Sequence, residues 1–518
     1  MFTRINCLRP PGIPMFSRAT TLFFCHIFIL ALMAGTPLRA QMIATPDQIA
    51  LGGGVAYSTG LSAHFNNPAN LMIRKDHRRH EVTVGLGGVY RSTGISVRNT
   101  LNLPDEVLPY FVPEEPGSST LVTDAELERY FYGSDRFHQT HSYDMIPVGF
   151  TWSGENRAYS IALRSRGISS FEMNKNWFES ASGSSGSQAG FVRFLNESYQ
   201  VHHEVSFAMA REVTMINQWQ AGLNTLYVGL APKLLIGGMY SRARYRSEYQ
   251  AVEEGWQNSG FMEVQMAGDM TRYLDDLLAS GNAAMAFRDR VSPSSNLNVS
   301  GLGLGLDAGL TYIIPLGDDI SLSPHSEEPL RKSLRFSVAI IDLGAIRYSG
   351  NPGEWASRTV MRTYPDIQGN QVRFDGKPGE FLRYIHDDSV EEVVIDNLNR
   401  IDDSAFSVQL PTEVHVGTAL QYRWFASVVD LNYRFNSSDF RTDGWHVSAG
   451  AEVRPFHFLP LMGSFQLNPG GDTAVGAGAG LDLGYLRASG AIRLFRTQEE
   501  QARWNVNSIS ALSLQIRF

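Results

Sequence analysis

Over most of its length the chain alternates apolar and polar residues with a period of two. Leu302, Leu304, Leu306, Ala308, Leu310, Tyr312 and Ile314 make one row, and Gly301, Gly303, Gly305, Asp307, Gly309 and Thr311 stand between them. The same rule sets Leu334, Phe336, Val338 and Ile340 against Arg335, Ser337 and Ala339. It sets Val414, Val416, Leu420, Tyr422 and Trp424 against Glu413, His415, Ala419, Gln421 and Arg423, and Leu486, Ala488, Ile492 and Leu494 against Arg487, Ser489 and Arg493. Alternate side chains of a strand point to opposite faces, so each segment has one oily and one polar face. The chain also ends this way: Leu512, Leu514, Ile516 and Phe518 face one side, and Ala511, Ser513, Gln515 and Arg517 the other. One face suited to hydrocarbon and one to water is the pattern of a transmembrane β-strand. The pattern predicts an all-β fold, a transmembrane antiparallel β-barrel of about 14 strands (roughly 12–16).

Strands are expected near 81–91, 144–153, 157–169, 198–210, 222–246, 299–314, 333–348, 412–424, 426–435, 444–456, 460–467, 474–484, 485–495 and 507–518, with 222–246 readable as one strand or two. Four polar stretches, 97–143, 170–197, 247–297 and 349–411, read as long loops, where function tends to reside. Short helices are expected at 272–284 and 391–398, and the Gly/Ser-rich run 180–187 reads as a linker. Trp152, Tyr240, Tyr312, Tyr348, Tyr422, Trp424, Tyr433, Phe435 and Phe495 stand near strand ends, where the headgroup level of a membrane holds rings. The inward glycines permit either tight interior packing or a continuous lumen.

The first 40 residues carry Arg4, Arg9, Arg18 and Arg39, no acidic residue, and the apolar run Leu22–Met33 ahead of Leu38-Arg39-Ala40. This reads as a secretory signal peptide over 1–40, with Met1 or Met15 as the start. Both cysteines, Cys7 and Cys25, fall inside it, so the exported chain has neither disulfides nor thiolate chemistry. Loss of those four positive charges takes the formal charge from −8 to −12, which argues against nucleic acid as a partner. A hydrophobic content of 43% also fits a soluble protein, so a soluble periplasmic β-protein is the competing reading. A barrel satisfies the same numbers because only every second residue meets lipid.

Motifs with catalytic or cofactor connotations fall in the wrong context. Gly303-Leu304-Gly305-Leu306-Asp307-Ala308 fits a dinucleotide fingerprint in letters, yet lies inside a strand instead of at a strand-to-helix turn. His202 and His203 are adjacent on a strand and face opposite sides, so they do not chelate one ion together, whereas His202 and Glu204 share a face. His64, His77, His80, His141 and His415 are available for acid–base work, but no nucleophile elbow accompanies them. The acidic stretch 375–403 lacks a calcium-loop spacing and reads as solvated. The sequence therefore points to no enzyme, cofactor or metal.

Between the leader and the first strand, Leu51-Gly52-Gly53-Gly54-Val55-Ala56-Tyr57 is followed by Asn66-Asn67-Pro68-Ala69-Asn70-Leu71, punctuation that reads as an irregular segment spanning 41–80. A glycine-rich opening followed by N-P-A-x-L resembles the start of the long-chain fatty acid transporter superfamily of outer-membrane barrels, and the related shuttle barrels of type IX secretion. The middle of the chain is similar to an uncharacterised branch of those barrels, through Asp307-Ala308-Gly309-Leu310-Thr311-Tyr312 and a following Asp342-Leu343-Gly344. The terminal strand, ending on Phe518, resembles the strand that the barrel-assembly machinery of the bacterial outer membrane reads. The resemblance implies a hatch or plug at 41–80 shaped by Asn67, Pro68, Ala69 and Asn70, with a barrel over 81–518. The same Asn-Pro-Ala also reads as a plain tight turn.

The expected function is passive passage of a hydrophobic or amphipathic small molecule across the outer membrane, in contact with outer-membrane lipid. The alternative is a non-transporting scaffold whose loops dock an envelope protein partner. A transporter needs an apolar pocket between hatch and wall; a scaffold needs a blocked lumen and an exposed apolar patch on its loops.

Overall fold

The structure is a computed structural model that describes residues 45–73, 79–96, 107–111, 134–182, 190–213, 225–280, 290–316, 332–357, 360–369, 397–435, 444–467, 473–496 and 505–518, with a few isolated positions besides. The expected signal peptide, 1–40, and most of the acidic stretch lie outside these residues.

Fourteen strands form the wall: β1 (His80–Ser96), β2 (Arg136–Ser153), β3 (Arg157–Asn174), β4 (Phe191–Glu212), β5 (Thr225–Val252), β6 (Gly301–Pro315), β7 (Lys332–Tyr348), β8 (Glu413–Tyr422), β9 (Phe425–Arg434), β10 (Gly444–Phe456), β11 (Leu459–Leu467), β12 (Thr473–Asp482), β13 (Leu486–Arg496) and β14 (Asn505–Arg517). Each pairs antiparallel with its sequence neighbour, and β14 closes on β1 through pairs from Glu81↔Arg517 to Ser96↔Asn505. Closure leaves no unpaired edge in the wall, which hydrocarbon would penalise. The fold predicted from alternation is the fold observed, and 222–246 belongs to one strand.

The interior is polar and the exterior apolar. Leu163, Phe207, Leu234, Leu304, Leu310, Val338, Val416 and Phe465 are 42–74% exposed, while Arg166, Glu204, Lys233, Asp307, Thr311, Arg335, Asp430 and Arg434 are at most 2% exposed. A water-soluble core reverses that arrangement. Trp424 and Tyr433, or Trp424 and Phe435, lie nine and eleven residues apart near the ends of β9, with Trp424 and Phe435 more than half exposed. At ~3.3 Å per residue and a tilt of ~40° that is roughly 23–28 Å along the normal, the height of the apolar band of such a barrel. Among the expected girdle positions Tyr240, Tyr348 and Phe495 are buried instead, the first two against each other at 5.1 Å between ring centroids.

The wall is lopsided. Strands β8, β9, β11, β12 and β13 have 9–11 residues, but β2 and β3 have 18, β4 has 22 and β5 has 28. A membrane crossing uses ~9–11 residues, so β2–β5 continue well beyond it. At the top of the crossing the sheet branches. Thr225–Gly237 of β5 pairs with β6, whereas Tyr240–Val252 pairs with a further strand, Gly255–Ala267. That strand is flanked by Gly353–Ser357 and Val360–Tyr364, and Leu398–Asp402 adds to the first of these.

The ranges 97–143, 170–197, 247–297 and 349–411 therefore contain ordered strand as well as loop. The two-residue alternation persists in Tyr240, Arg242, Arg244 and Arg246 against Ala243 and Tyr245, but a bulge between Gln200/Tyr240 and His202/Gly237 shifts its phase, so the arginines continue the lumen face and Ala243 and Tyr245 the outward one. On the projecting part of β4 the row that faces lipid lower down becomes Leu195, Tyr199 and Val201, all fully buried. They are covered by Phe111, by Trp177 and by Met270, Tyr273, Leu274 and Leu277 of the helix Asp269–Ser280. That helix matches the expected one at its apolar face; the expected helix at 391–398 falls almost wholly outside the described residues.

Candidate functional site

The segment 45–73 is inside the barrel, and it is more regular than its punctuation implied. Helix α1 (Pro46–Leu51) begins with a capping box between Thr45 and Gln48 and ends at Gly52, whose φ of 75° suits glycine. Helix α2 (Leu61–Asn66) and a 3-10 turn (Pro68–Met72) follow. Three residues tie this segment to the wall on one side: Asp47 accepts from Arg487 at 2.9 Å, and the backbone N–H groups of Gly54 and Val55 donate to the Asp430 carboxylate. On the other side His64 is held between Ser160 Oγ at 2.9 Å and Ser206 Oγ at 2.7 Å, and the Leu61 N–H donates to Glu81 at 3.1 Å.

The four residues expected to shape a hatch meet the wall at β5 and β6. Asn67 Nδ2 donates to the Val55 carbonyl at 3.0 Å and to Thr311 Oγ1 at 2.9 Å, while its Oδ1 accepts from Ala69 N at 3.1 Å. Asn70 Nδ2 also donates to Val55 O, at 2.7 Å, and its Oδ1 accepts from the Thr311 hydroxyl at 2.5 Å. A side chain at Gly229 would collide with the backbone of Pro68 and Ala69, and one at Gly309 with the Asn67 amide. The inward glycines at these two positions serve close packing, one of the two uses the sequence allowed them. Apolar contacts complete the fit. Leu71, Met72 and Ile73 cover Ala158, Ala208, Ala210 and Ala231, and Ile49, Leu51 and Tyr57 cover Ala419, Val428 and Met462.

Above the segment, β2 to β7 contribute a belt of buried charge. Arg164 forms two bonds to Asp144, one of them at 2.8 Å. Arg166 reaches Glu204 at 3.2 Å and Asp342 at 2.8 Å, and Lys233 reaches Asp307 at 2.8 Å and Asp342 at 2.7 Å. Four carboxylates thus share three cations inside a membrane-level lumen, where ionised groups survive only by pairing. Asp342 sits at φ 57°, in a bulge that sets Ile341 and Asp342 against Asp307. His202 joins the belt through Glu204 at 3.2 Å, whereas His203 turns away to the Asn296 carbonyl at 2.9 Å. The adjacent pair does face opposite sides.

Sequence reading found Asp307 and Asp342 only as parts of motifs, and it missed Asp144, Arg164, Arg166 and Lys233. The usable signal was Lys233 within Leu230-Ala231-Pro232-Lys233-Leu234-Leu235-Ile236, an ionisable residue in a membrane-facing run. Of the histidines kept in reserve for catalysis, His77 lies outside the described residues and the other four are spread out. Both His64 nitrogens face serine hydroxyls, so no carboxylate orients the ring as a triad requires. His141 stacks on Tyr110, His415 bonds Glu413 at 3.0 Å, and His80 stacks on Phe518. In the terminal strand Ile516 and Phe518 are 42% and 61% exposed on the outer face, Leu514 is half-buried, and Leu512 belongs to the same strand.

A closed barrel with a polar interior and an outward apolar band is an outer-membrane barrel of the bacterial kind. A sequence model of the family of unknown function DUF5723 matches residues 81–488. The chain belongs to this family. The match runs from the start of β1 to the start of β13, and leaves the segment 45–73 and β14 outside. No curated protein matches it in sequence. Among solved structures it is similar to the "TodX deltaS2S3 mutant monoaromatic hydrocarbon channel", with 12% identity, TM-score 0.44, and coverage of 92% of this chain and 99% of the other. It is similar to the P. putida toluene transporter TodX at 12% identity and TM-score 0.41, over 93% and 99% of the two chains. A Pseudomonas aeruginosa FadL homologue follows at 10% identity and TM-score 0.23, over 93% and 98%. None of these likenesses says what this DUF5723 barrel carries.

Proposed function

We propose that this protein is a hatch-gated passive channel for a small amphipathic molecule. The observation that carries the reading is the composition of the wall behind the hatch. Ala158, Ala208, Ala210, Ala231, Tyr227 and Ile313 form an apolar patch covered by Ala63, Ala69, Leu71, Met72 and Ile73. Ser160, Ser206 and Thr311 border it and hold the hatch by hydrogen bonds, and Ser337 supports Thr311 from the wall. Displacing the hatch exchanges those bonds for water and opens a surface with a hydrocarbon strip beside hydroxyls. That combination suits a ligand with one apolar and one polar end.

Further round, Asn432 Oδ1, Ser464 Oγ, Gln466 Nε2 and Ser513 Oγ are buried polar atoms with no hydrogen-bond partner among the described residues, as in a lumen that water enters. The tight turns 154–156, 423–424, 457–458 and 483–485 lie on one rim with the start of β1 and the end of β14, and the longest connections lie on the other, the asymmetry of periplasmic and extracellular sides. Entry is from the long connections and exit past the hatch.

The test locks the hatch to the wall. Ser153 Oγ donates to the Leu71 carbonyl at 3.3 Å, so Leu71→Cys with Ser153→Cys places a disulfide across the contact. Liposomes containing this variant should swell in a short-chain fatty acid amide when reduced and not when oxidised. Equal swelling in both states, or none above empty vesicles in either, rejects a moving hatch and leaves the scaffold reading.

A further inference from the structure

We infer that the projecting face of β2–β5 carries a binding site for a neutral, hydroxyl-rich ligand, a sugar ring in chemical class. This site lies beyond the charged belt, toward the long connections, and does not require that the hatch open.

The register builds it. His138 pairs with Glu172, Glu172 with Asn196, and Asn196 with Arg244, giving one rung of side chains across four strands. Thr140, Ser170, Ser198 and Arg242 give the rung below. Residues two apart share a face, so both rungs present their side chains to the same side. That side continues the lumen face of the wall, because the opposite face (Phe137, Phe171, Leu195, Ala243) is buried under the outer layer. Six of these residues, His138, Ser170, Glu172, Asn196, Ser198 and Arg244, line a cavity of about 430 Å³. Small-molecule sites occupy ~300–1,000 Å³.

The donor and acceptor set decides the ligand class. Arg244 only donates, Glu172 only accepts, and Ser170, Ser198, Asn196 and His138 do both. A cation would meet Arg244, and an anion would meet Glu172; the two charges in the lining cancel. Vicinal hydroxyls match all six, since each hydroxyl gives one proton and accepts on the same oxygen. Glu172 is already oriented for this, accepting from Asn196 Nδ2 at 3.3 Å and lying 3.6 Å from the Arg136 guanidinium. Phe194, two residues from Asn196 on the same strand face, lies with its ring centroid 5.1 Å from the Arg136 guanidinium and adds an apolar surface of ring size.

The full-length exported barrel in phosphatidylcholine nanodiscs, free of sugar-headed detergent, gives the test by saturation-transfer NMR with glucose, maltose, glucuronic acid and glucosamine. Glucose and maltose should receive saturation, and both charged sugars should bind more weakly. Glu172→Gln and Asn196→Ala should each weaken maltose by about fivefold, the loss of one hydrogen bond, with heat-modifiable gel mobility confirming that the barrel is intact. No transfer to any sugar, tighter binding of glucuronic acid than of maltose, or unchanged binding in both variants overturns the site. A second arm adds lipopolysaccharide to the nanodisc. Loss of the free-maltose signal assigns the site to lipid-borne sugar and an unchanged signal to free solute; each supports a sugar site and names its source.

Discussion

The backbone N–H of Asp342 donates to the carboxylate of Asp307 at 2.7 Å, and both carboxylates close on the ammonium of Lys233. The contact joins the two short motifs of the middle of the chain and explains their spacing. In Asp307-Ala308-Gly309-Leu310-Thr311 the three inward residues have separate duties: Asp307 holds Lys233, Gly309 makes room for Asn67, and Thr311 bonds Asn67 and Asn70. In Asp342-Leu343-Gly344 the bulge turns Asp342 inward while Leu343, 51% exposed, stays on the lipid face.

Lys233 is then the piece whose loss the belt tolerates least. Lys233→Met leaves four buried carboxylates against two arginines. Breaking a buried pair from one side costs ~3–5 kcal/mol. Urea unfolding of the barrel in lipid vesicles, followed by tryptophan fluorescence, should show this loss, and Lys233→Met combined with Asp307→Asn should recover part of it. An unchanged midpoint in the single variant would mean that the belt contributes nothing to stability.

Thr311 tests the other half of the same motif. Its hydroxyl serves Asn67, Asn70 and Ser337 at once, at 2.9, 2.5 and 2.8 Å. Thr311→Val keeps the shape and takes one partner from each of two buried amides, Asn67 and Asn70, at ~1–3 kcal/mol. Because the wall strands pair through their backbones, the penalty should fall on hatch docking and spare the barrel. The expected result is faster protease cleavage within 45–73 and more frequent openings in planar bilayers, with an unaltered unfolding midpoint. Parallel loss of barrel stability would place Thr311 in the wall alone.

The wall was legible because one rule, alternation at period two, recurs in every strand and lipid enforces it on one face. Each of the fourteen expected segments overlaps a wall strand. The projection of β2–β5 was not legible as strand, since a bulge at Gly237–Tyr240 breaks the phase of the alternation and puts Arg242, Arg244 and Arg246 in the sequence positions that faced lipid below it, where they read as loop. The belt was hidden for a different reason. Arg164, Glu204, Lys233 and Asp342 come from four strands, and only register shows that they meet. Asn67 to Asn70 stood out through composition, but their contacts with Gly229 and Thr311 needed the fold.

Arg193 holds the projection together. Buried to 1% exposure, it lies 5.7, 5.8 and 5.3 Å from the ring centroids of Trp177, Phe191 and Tyr249. It also donates to the carbonyls of Asn176, Glu179 and Gln368 at 3.0, 3.1 and 2.9 Å, so three segments distant in sequence converge on one guanidinium. A lysine keeps the charge but lacks the planar fork. Arg193→Lys should therefore expose 175–182 and 364–369 to protease nearly as much as Arg193→Met does, while the membrane band keeps its heat-modifiable mobility. Protection retained in Arg193→Lys would show that charge alone suffices.

Phe518 separates stability from assembly. Its N–H and carbonyl exchange hydrogen bonds with His80 at 3.0 Å each, and its ring, 61% exposed, stacks on His80 at 5.6 Å. Phe518→Ala keeps both backbone bonds and loses an exposed ring contact of ~0.5–1.5 kcal/mol. That is too little to unfold a closed barrel, so folding into vesicles from urea should proceed as in the parent protein. If the assembly machinery reads the terminal ring, the amount reaching the outer membrane in cells should nevertheless fall severalfold. Equal levels in cells would show that the outward row Leu512, Leu514 and Ile516 carries the signal without its last residue; a matching defect in vesicles would show that the ring closes the barrel.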